Sequence, residues 1–338
     1  MSRSDGRYAG PWAELRRSFP GLPLAGARQR FVALLALLAL PLSGAQTGPP
    51  RRVLAADDST ARLAIVAPDG ALEWEVKVGP IHDAWKLPNG NLLLQQGWQK
   101  IVEMTPAKQT VWEYDSGRMN GNQGKRVEVH AFQRVEEGRT MIAESGVARI
   151  IEVDREGKLH REIRLKVDHP NPHSDTRLVR KLASGNYLAA QESDGFVREY
   201  DPRGQIVWEY EVPLFGQERR GGHGPEAFGN SIFSAVRLPN GHTLIGGGNG
   251  HCVLEVTPDK KIVWRVSQRD LPGITLAWVT RVERLANGNT RFGNCHAGPD
   301  NPQFIEITPE KQVVWTFKDF TNFGNSMPVQ AVLEPDGP

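Results

Sequence analysis

One phrase recurs along this chain at a nearly constant interval. It is a short strand-like run, a turn that ends in Gly, and a second run. It reads Trp85-Lys-Leu-Pro-Asn-Gly90-Asn-Leu-Leu-Leu, then Arg134-Val-Glu-Glu-Gly138-Arg-Thr-Met-Ile and Lys181-Leu-Ala-Ser-Gly185-Asn-Tyr-Leu. It returns as Arg237-Leu-Pro-Asn-Gly241-His-Thr-Leu-Ile and Arg284-Leu-Ala-Asn-Gly288-Asn-Thr, with turn glycines 48, 47, 56 and 47 residues apart. Asn-Gly and Ser-Gly supply the positive φ that a tight hairpin demands. A second phrase follows: Glu103-Met-Thr-Pro-Ala-Lys-Gln-Thr-Val-Trp112, with relatives ending at Trp208, Trp264 and Trp315. Alternation and β-branched residues make this two further strands around a Pro-containing turn. No amphipathic helix follows residue 46.

Four short strands repeated every 40–50 residues are the pattern of propeller blades. The units run roughly 80–117, 127–168, 171–213, 229–270 and 276–319. The ends supply a sixth. Arg52 to Val76 reads as three strands of a blade lacking its first, and Pro328 to Gly337 reads as a first strand with its turn. The expectation is an all-β, six-bladed β-propeller of four-stranded blades, closed by the C-terminal strand completing the N-terminal blade. Such pairing removes two sheet edges open to aggregation. A Trp recurs at one blade position as Trp74, Trp112, Trp208, Trp264 and Trp315, with Arg161 in its place in unit two of the five. Five equivalent copies point to packing between blades rather than to cofactor stacking.

Residues 1–45 differ from the rest. Six arginines precede an apolar run from Phe31 to Leu42, followed by Ser43, Gly44 and Ala45. This reads as a secretory signal, too short to span a bilayer, which needs ~20 residues. Arg16-Arg17-Ser18-Phe19 is similar to a twin-arginine signal. The expected division is 1–45 signal peptide and 46–338 propeller, exported to the periplasm or outside and without a stable transmembrane anchor. Of 41 basic and 39 acidic residues, the first 45 hold 6 and 2; the remainder carries 35 and 37, net −2. That balance speaks against nucleic acid as the partner. Cys252 and Cys295 lie near the same edge of adjacent blades, either bridged or simply small buried residues.

The phrase His82-Asp83-Ala-Trp-Lys-Leu-Pro-Asn-Gly-Asn-Leu-Leu resembles the blade motif of the arylsulfotransferase family. The Thr-Pro-x-Lys-x-x-Val-Trp phrases resemble the PQQ-like, quinoprotein-type propeller superfamily. The resemblance spans nearly all of residues 50–338. It implies a propeller, and a transferase in which a catalytic His and neighbouring His and Arg residues surround a sulfuryl group in the central channel. The adjacent Cys pair of quinoprotein dehydrogenases is absent, which argues against quinone-dependent oxidation.

In a propeller the first strand of each blade lines the central channel. Eight residues before each turn Gly stand His82, His130, Arg177, Phe233, Thr280 and Val329; beside them lie Asp83, His173, Asp175, Asn230, Trp278, Arg281 and Gln330. His82, His130, His173 and Arg177 are the candidate catalytic residues. Asp83, Asp175, His223, Asn230, Trp278 and Arg281 are the candidate ligand-binding residues. Two chemistries fit this set. One is anion or sulfate-ester chemistry, with a His as nucleophile or acid/base and Arg177 or Arg281 stabilising negative charge. The other is a metal held by His82, His130 and His173, with Asp83 orienting a ligand, in a metal-dependent polysaccharide lyase or hydrolase. The loop 213–229 is placed to cover the mouth and supply His223, Arg219 or Arg220. Gly246-Gly-Gly-Asn-Gly-His251 lies between strands, so it is not a phosphate loop, which would open a helix. A small-molecule or carbohydrate ligand and a protein partner both remain open, as does a non-catalytic scaffold; the sequence names no cofactor.

Overall fold

In the computed structural model, which describes residues 46–333, six antiparallel four-stranded sheets follow one another around a ring. Blade 1 is Ala84–Lys86, Leu92–Gln95, Lys100–Met104 and Thr110–Asp115. Blade 2 runs from Glu128–Arg134 to Leu159–Arg164, blade 3 from Val179–Lys181 to Ile206–Glu211, and blade 4 from Ser234–Arg237 to Ile262–Val266. Blade 5 runs from Trp278–Arg284 to Val313–Phe317. The last blade joins Val329–Leu333 to Arg52–Asp57, Arg62–Val66 and Leu72–Lys77, so the C-terminal strand closes the N-terminal sheet as the repeat requires. The expected signal segment and the final turn after Leu333 lie outside the described residues. A short strand, Gln46–Thr47, adds a fifth member to blade 5 by pairing with Val313–Phe317, a feature the repeat does not encode.

Side chains alternate across each strand, and both faces are covered. Leu54, Ala56, Leu63 and Ile65 of the closing blade pack against blade 1, while Val53, Ala55, Ala64 and Val66 pack against blade 5. The same division gives one apolar cluster at every seam of the ring. The hairpin glycines sit at φ 83° to 88° in four blades, as the Asn-Gly and Ser-Gly turns demand.

The recurring Trp is a seam residue. Trp74, Trp112, Trp208 and Trp264 each donate the indole N–H to a turn carbonyl of the next blade, those of Pro106, Arg155, Pro258 and Pro309, at 2.8–2.9 Å. Trp315 donates to Gln46 Oε1 at 3.0 Å. Arg161, standing where blade 2 lacks the Trp, donates to the same acceptor, the Pro202 carbonyl, at 3.2 Å. Opposite each Trp or Arg on strand three, at a repeated bulge, stands a Glu: Glu103, Glu152, Glu199, Glu255 and Glu306. Four of these take a cation from the next blade's first strand: Arg134 at 2.7 Å, Lys181 at 2.8 Å, Arg237 at 2.5 Å and Arg284 at 2.6 Å. The closing blade has Ile65 at that register in place of the Glu.

Cys252 and Cys295 are both free thiols and both buried, which settles the pairing question. The glycine run after Leu244 serves close backbone approach. A Cβ on Gly248 would lie 1.8 Å from the Ser231 carbonyl oxygen, and φ there is +49°.

Candidate functional site

The inner strands all begin at one face of the ring, and their first residues meet at that mouth of the channel. A cavity of about 220 Å³ opens there, lined by His82, Trp98, His173, Arg177, His223, Phe233, Trp278, His296 and Asp58 among others. Three imidazoles from three successive inner-strand starts crowd together. The ring centroids of His82 and His130 are 4.7 Å apart, those of His130 and His173 5.5 Å, and those of His82 and His173 6.2 Å. Trp98 packs on His82 and His173 at 5.6 and 5.0 Å.

Glu128 lies two residues before His130, on the same face of its strand. Its Oε2 is 2.6 Å from His173 Nδ1 and 3.5 Å from His130 Nε2. One donor atom each from Glu128, His130 and His173 all lie within 4.8 Å of one another. Bonds of ~2.0–2.2 Å from such donors place them about 3–3.5 Å apart around an ion, so the set needs only small rotations to close on one. On the far side, His130 Nδ1 lies 3.1 Å from His82 Nδ1, so one of the two carries a proton for the other. His82 Nε2 makes no hydrogen bond within the described residues.

Burial, then the neighbouring charges of His130, Arg177 and His173, holds His82 well below the usual imidazole range. Burial followed by Arg177 and His173 does the same to His130. Both are therefore neutral at pH 7. Arg177 is engaged by Glu192, and its Nη1 lies 3.3 Å from both ring nitrogens of His130. Glu128 also takes the exposed Arg126 at 3.1 Å. Among the described residues, both guanidiniums at this mouth, Arg177 and Arg126, have a carboxylate partner. Asp58, a further acid on the cavity wall, is raised to about 6, first by burial, against a hydrogen bond from the Ile81 N–H.

The other expected residues divide. His223, from the loop 213–229, reaches the mouth and packs against Trp278 at 4.6 Å and His296 at 5.1 Å. Arg219 instead bonds Asn230, and Arg220 bonds the Glu226 carbonyl. Asn230 fastens that loop by donating to the Val212 carbonyl, and Asp175 accepts the Asn171 and Gly146 N–H groups; neither lines the cavity. Asp83 and Arg281 are a correction. They belong to the opposite end of the channel, where Arg281 and Arg180 both pair with Asp83. Asp83 follows His82 by one residue, and strand alternation turns it away from the histidines. Thr280 is also displaced: a bulge between Val279 and Val282 moves the register, so Trp278 takes the place at the mouth. Glu128, Trp98, Asp58, Glu192 and His296 belong to the site and lay outside the expected set.

No family profile and no curated protein matches this sequence. Among solved structures, a protein of unknown function from Bacteroides caccae is similar at a TM-score of 0.68 and 22% identity, over 83% of this chain and 98% of that one. A streptogramin B lyase is similar at 0.54 and 13%, over 84% and 86%. A catalytically inactive virginiamycin B lyase from Staphylococcus aureus, in complex with quinupristin, is similar at 0.54 and 11%, over 82% and 89%. At such identities the likeness is one of fold, and the chain is a β-propeller of six four-stranded blades.

Proposed function

We propose that the histidine mouth binds a divalent metal ion and acts on a neutral, ring-bearing ligand as a metal-assisted lyase or hydrolase. The observation that carries this is the convergence of Glu128, His130 and His173, one carboxylate and two imidazoles, on one point at the cavity wall. Metal ligation requires neutral imidazole, and burial keeps His130 neutral. With His130 Nε2 given to an ion, its Nδ1 would carry the proton and donate to His82 Nδ1. His82, which lines the cavity, would then carry its proton on Nε2 as a hydrogen-bond donor. Asp58, raised to about 6, is the group matched to general-base work near neutral pH. Trp98, Phe233, Trp278 and His223 offer flat faces to a sugar or other ring. The ion itself would act as a Lewis acid on a ligand oxygen.

Sulfuryl transfer, implied by the arylsulfotransferase resemblance, is less well supported, because Arg177 and Arg126 are already paired with carboxylates. The reading includes export, carried by the basic and apolar pattern of residues 1–45. Among the described residues no helix is long and apolar enough to cross a membrane.

The test is calorimetric titration of the chelator-stripped protein with Zn²⁺, Mn²⁺ and Mg²⁺. One ion per chain is expected, with binding lost in Glu128→Gln and His173→Gln. Absence of stoichiometric binding by any of the three, or undiminished binding in Glu128→Gln, overturns the proposal.

A further inference from the structure

The opposite end of the channel holds a second cavity, of about 380 Å³, walled by the lower halves of inner strands from several blades. Its floor is Trp85, fixed by an indole N–H bond to the Phe132 carbonyl at 2.8 Å. Two guanidiniums lie over that indole, Arg180 at 4.6 Å and Arg281 at 5.3 Å from the ring centre. Both turn to a single carboxylate. Arg180 reaches Asp83 through Nη1 at 2.9 Å and Nη2 at 3.2 Å, and Arg281 reaches it through Nη2. Asp83 is fully buried and also accepts the Phe132 N–H at 3.3 Å, so its oxygens are fully used.

Two cations therefore share one anion in a site where the arginine side chains are only 14% and 17% exposed. The remaining carboxylate of the wall, Glu283, is 55% exposed and lies 3.6 Å from Arg291. Lys86 stands on the same wall, so three basic side chains line the cavity, with Asp83 and Glu283 as the carboxylates acting on Arg281. Burial holds the Arg281 guanidinium below its ordinary value, Asp83 opposing that effect, Arg180 adding to it and Glu283 opposing it more weakly. Arg281 keeps Nε and Nη1 without a partner among the described residues. Thr280 and Gln330, both buried and 3.1 Å apart, stand on the inner strands between this cavity and Trp278 at the other mouth.

We propose that this lower cavity is a binding site for a small molecule bearing an oxyanion group, a carboxylate or a phosphate, received by Arg281 and Arg180 over Trp85. The planar fork of a guanidinium matches either group bidentately, and a cavity of this size suits a small ligand. The site is independent of the metal chemistry proposed for the other mouth.

The experiment is calorimetric titration of the full chain with inorganic phosphate and, separately, acetate, at fixed ionic strength in chloride-free buffer. At least one should bind saturably at one site per chain, and the tighter of the two identifies the headgroup. Arg281→Lys keeps the charge but loses the fork, and should weaken binding about tenfold. Arg281→Gln should weaken it further, while Arg177→Gln, at the upper mouth, should leave it unchanged. Asp83→Asn frees both guanidiniums, so its thermal stability should recover on adding the anion. Saturable binding by neither anion overturns the proposal. So does equal affinity in Arg281→Gln, or a loss of binding in Arg177→Gln with none in Arg281→Lys.

Discussion

Replacing Trp208 with Phe removes three contributions at one seam, and each has a size. The indole N–H bond to the Pro258 carbonyl, at 2.9 Å, contributes ~1 kcal/mol. The Arg237 guanidinium, 4.8 Å above the ring, contributes ~0.5 kcal/mol more than it would over a phenyl ring. The lost part of a half-buried indole costs a further ~1 kcal/mol. The sum is ~2.5 kcal/mol. A propeller of about 290 residues has an unfolding entropy of ~0.6 kcal/mol/K, so Tm should fall by about 4 °C. Trp74 provides the internal control. It makes the same bond, at 2.9 Å to Pro106, but has only Lys108 at 5.9 Å above it and Ile65 where the other blades have the Glu. Trp74→Phe should therefore cost ~2 kcal/mol, or about 3 °C. The decisive assay is a double-mutant cycle by calorimetry or urea melting, pairing Trp208→Phe with Arg237→Gln. A coupling of ~0.5–1 kcal/mol is expected, because the guanidinium is held between Glu199 and the indole. Zero coupling, or equal losses at Trp208 and Trp74, would refute the idea that the latch and the tryptophan act together.

The remaining predictions concern the mouth and the glycine run. Burial pushes His296 down to about 4 and holds His82 and His130 well below the usual range, so the unfolded chain binds protons that the folded one refuses. Stability should thus rise between pH 4 and 6.5; His296 contributes at most ~3 kcal/mol, less for its partial exposure, and Asp58, raised to about 6, opposes it over pH 4 to 6. Urea midpoints should show a shallower slope in His296→Asn, and a flat wild-type profile contradicts the argument. At a hundredfold excess of ion over its Kd, binding at Glu128, His130 and His173 should stabilise the domain by ~2.7 kcal/mol and raise Tm by about 4–5 °C, with no rise in Glu128→Gln. Gly248→Ala should cost more than ~3 kcal/mol, since its Cβ would strike the Ser231 carbonyl at 1.8 Å; a thermal melt within a degree of wild type would show that the backbone yields there.

How far the sequence could be read depended on whether a feature repeats. Blade number, strand order and closure follow from the spacing of the turn glycines, because each turn fixes one hairpin and each hairpin one blade. The seam role of the tryptophans was legible for the same reason. The Glu–cation latches repeat as well, but their partners lie on different blades, and only the structure pairs Glu199 with Arg237. Counting back from the turn located His82, His130, Arg177 and Phe233 correctly, because their strands reach the mouth at the expected register. It failed at Thr280, where the bulge between Val279 and Val282 slides the strand and brings Trp278 to the opening. It also joined Asp83 and Arg281 to the histidines, since proximity along the chain ignores the alternation that sends neighbouring residues to different surroundings.

Apart from Glu128, which stands on the inner strand of blade 2, the residues missed altogether share one origin, and it gives the mouth a second tier. Asp58, Trp98, Glu192 and His296 all fall one to three residues after the end of a blade's second strand, at Asp57, Gln95, Gln191 and Cys295. An antiparallel blade returns its second strand to the face where the first began, so the connection that follows must border the same opening. A site built on inner strands and their approaches alone would hold Glu128, His82, His130, His173 and Arg177. The second tier adds the carboxylates Asp58 and Glu192 and the flat ring of Trp98. Blades 2 and 4 place Gly146 and the run Gly246 to Gly248 at these positions, and the glycines there lie against the backbone of neighbouring segments. The acidic groups therefore come from the closing blade, blade 3 and Glu128, spread around the imidazoles rather than beside one another. That distribution leaves Arg177 paired and the three donors at Glu128, His130 and His173 as the group best suited to gather a cation.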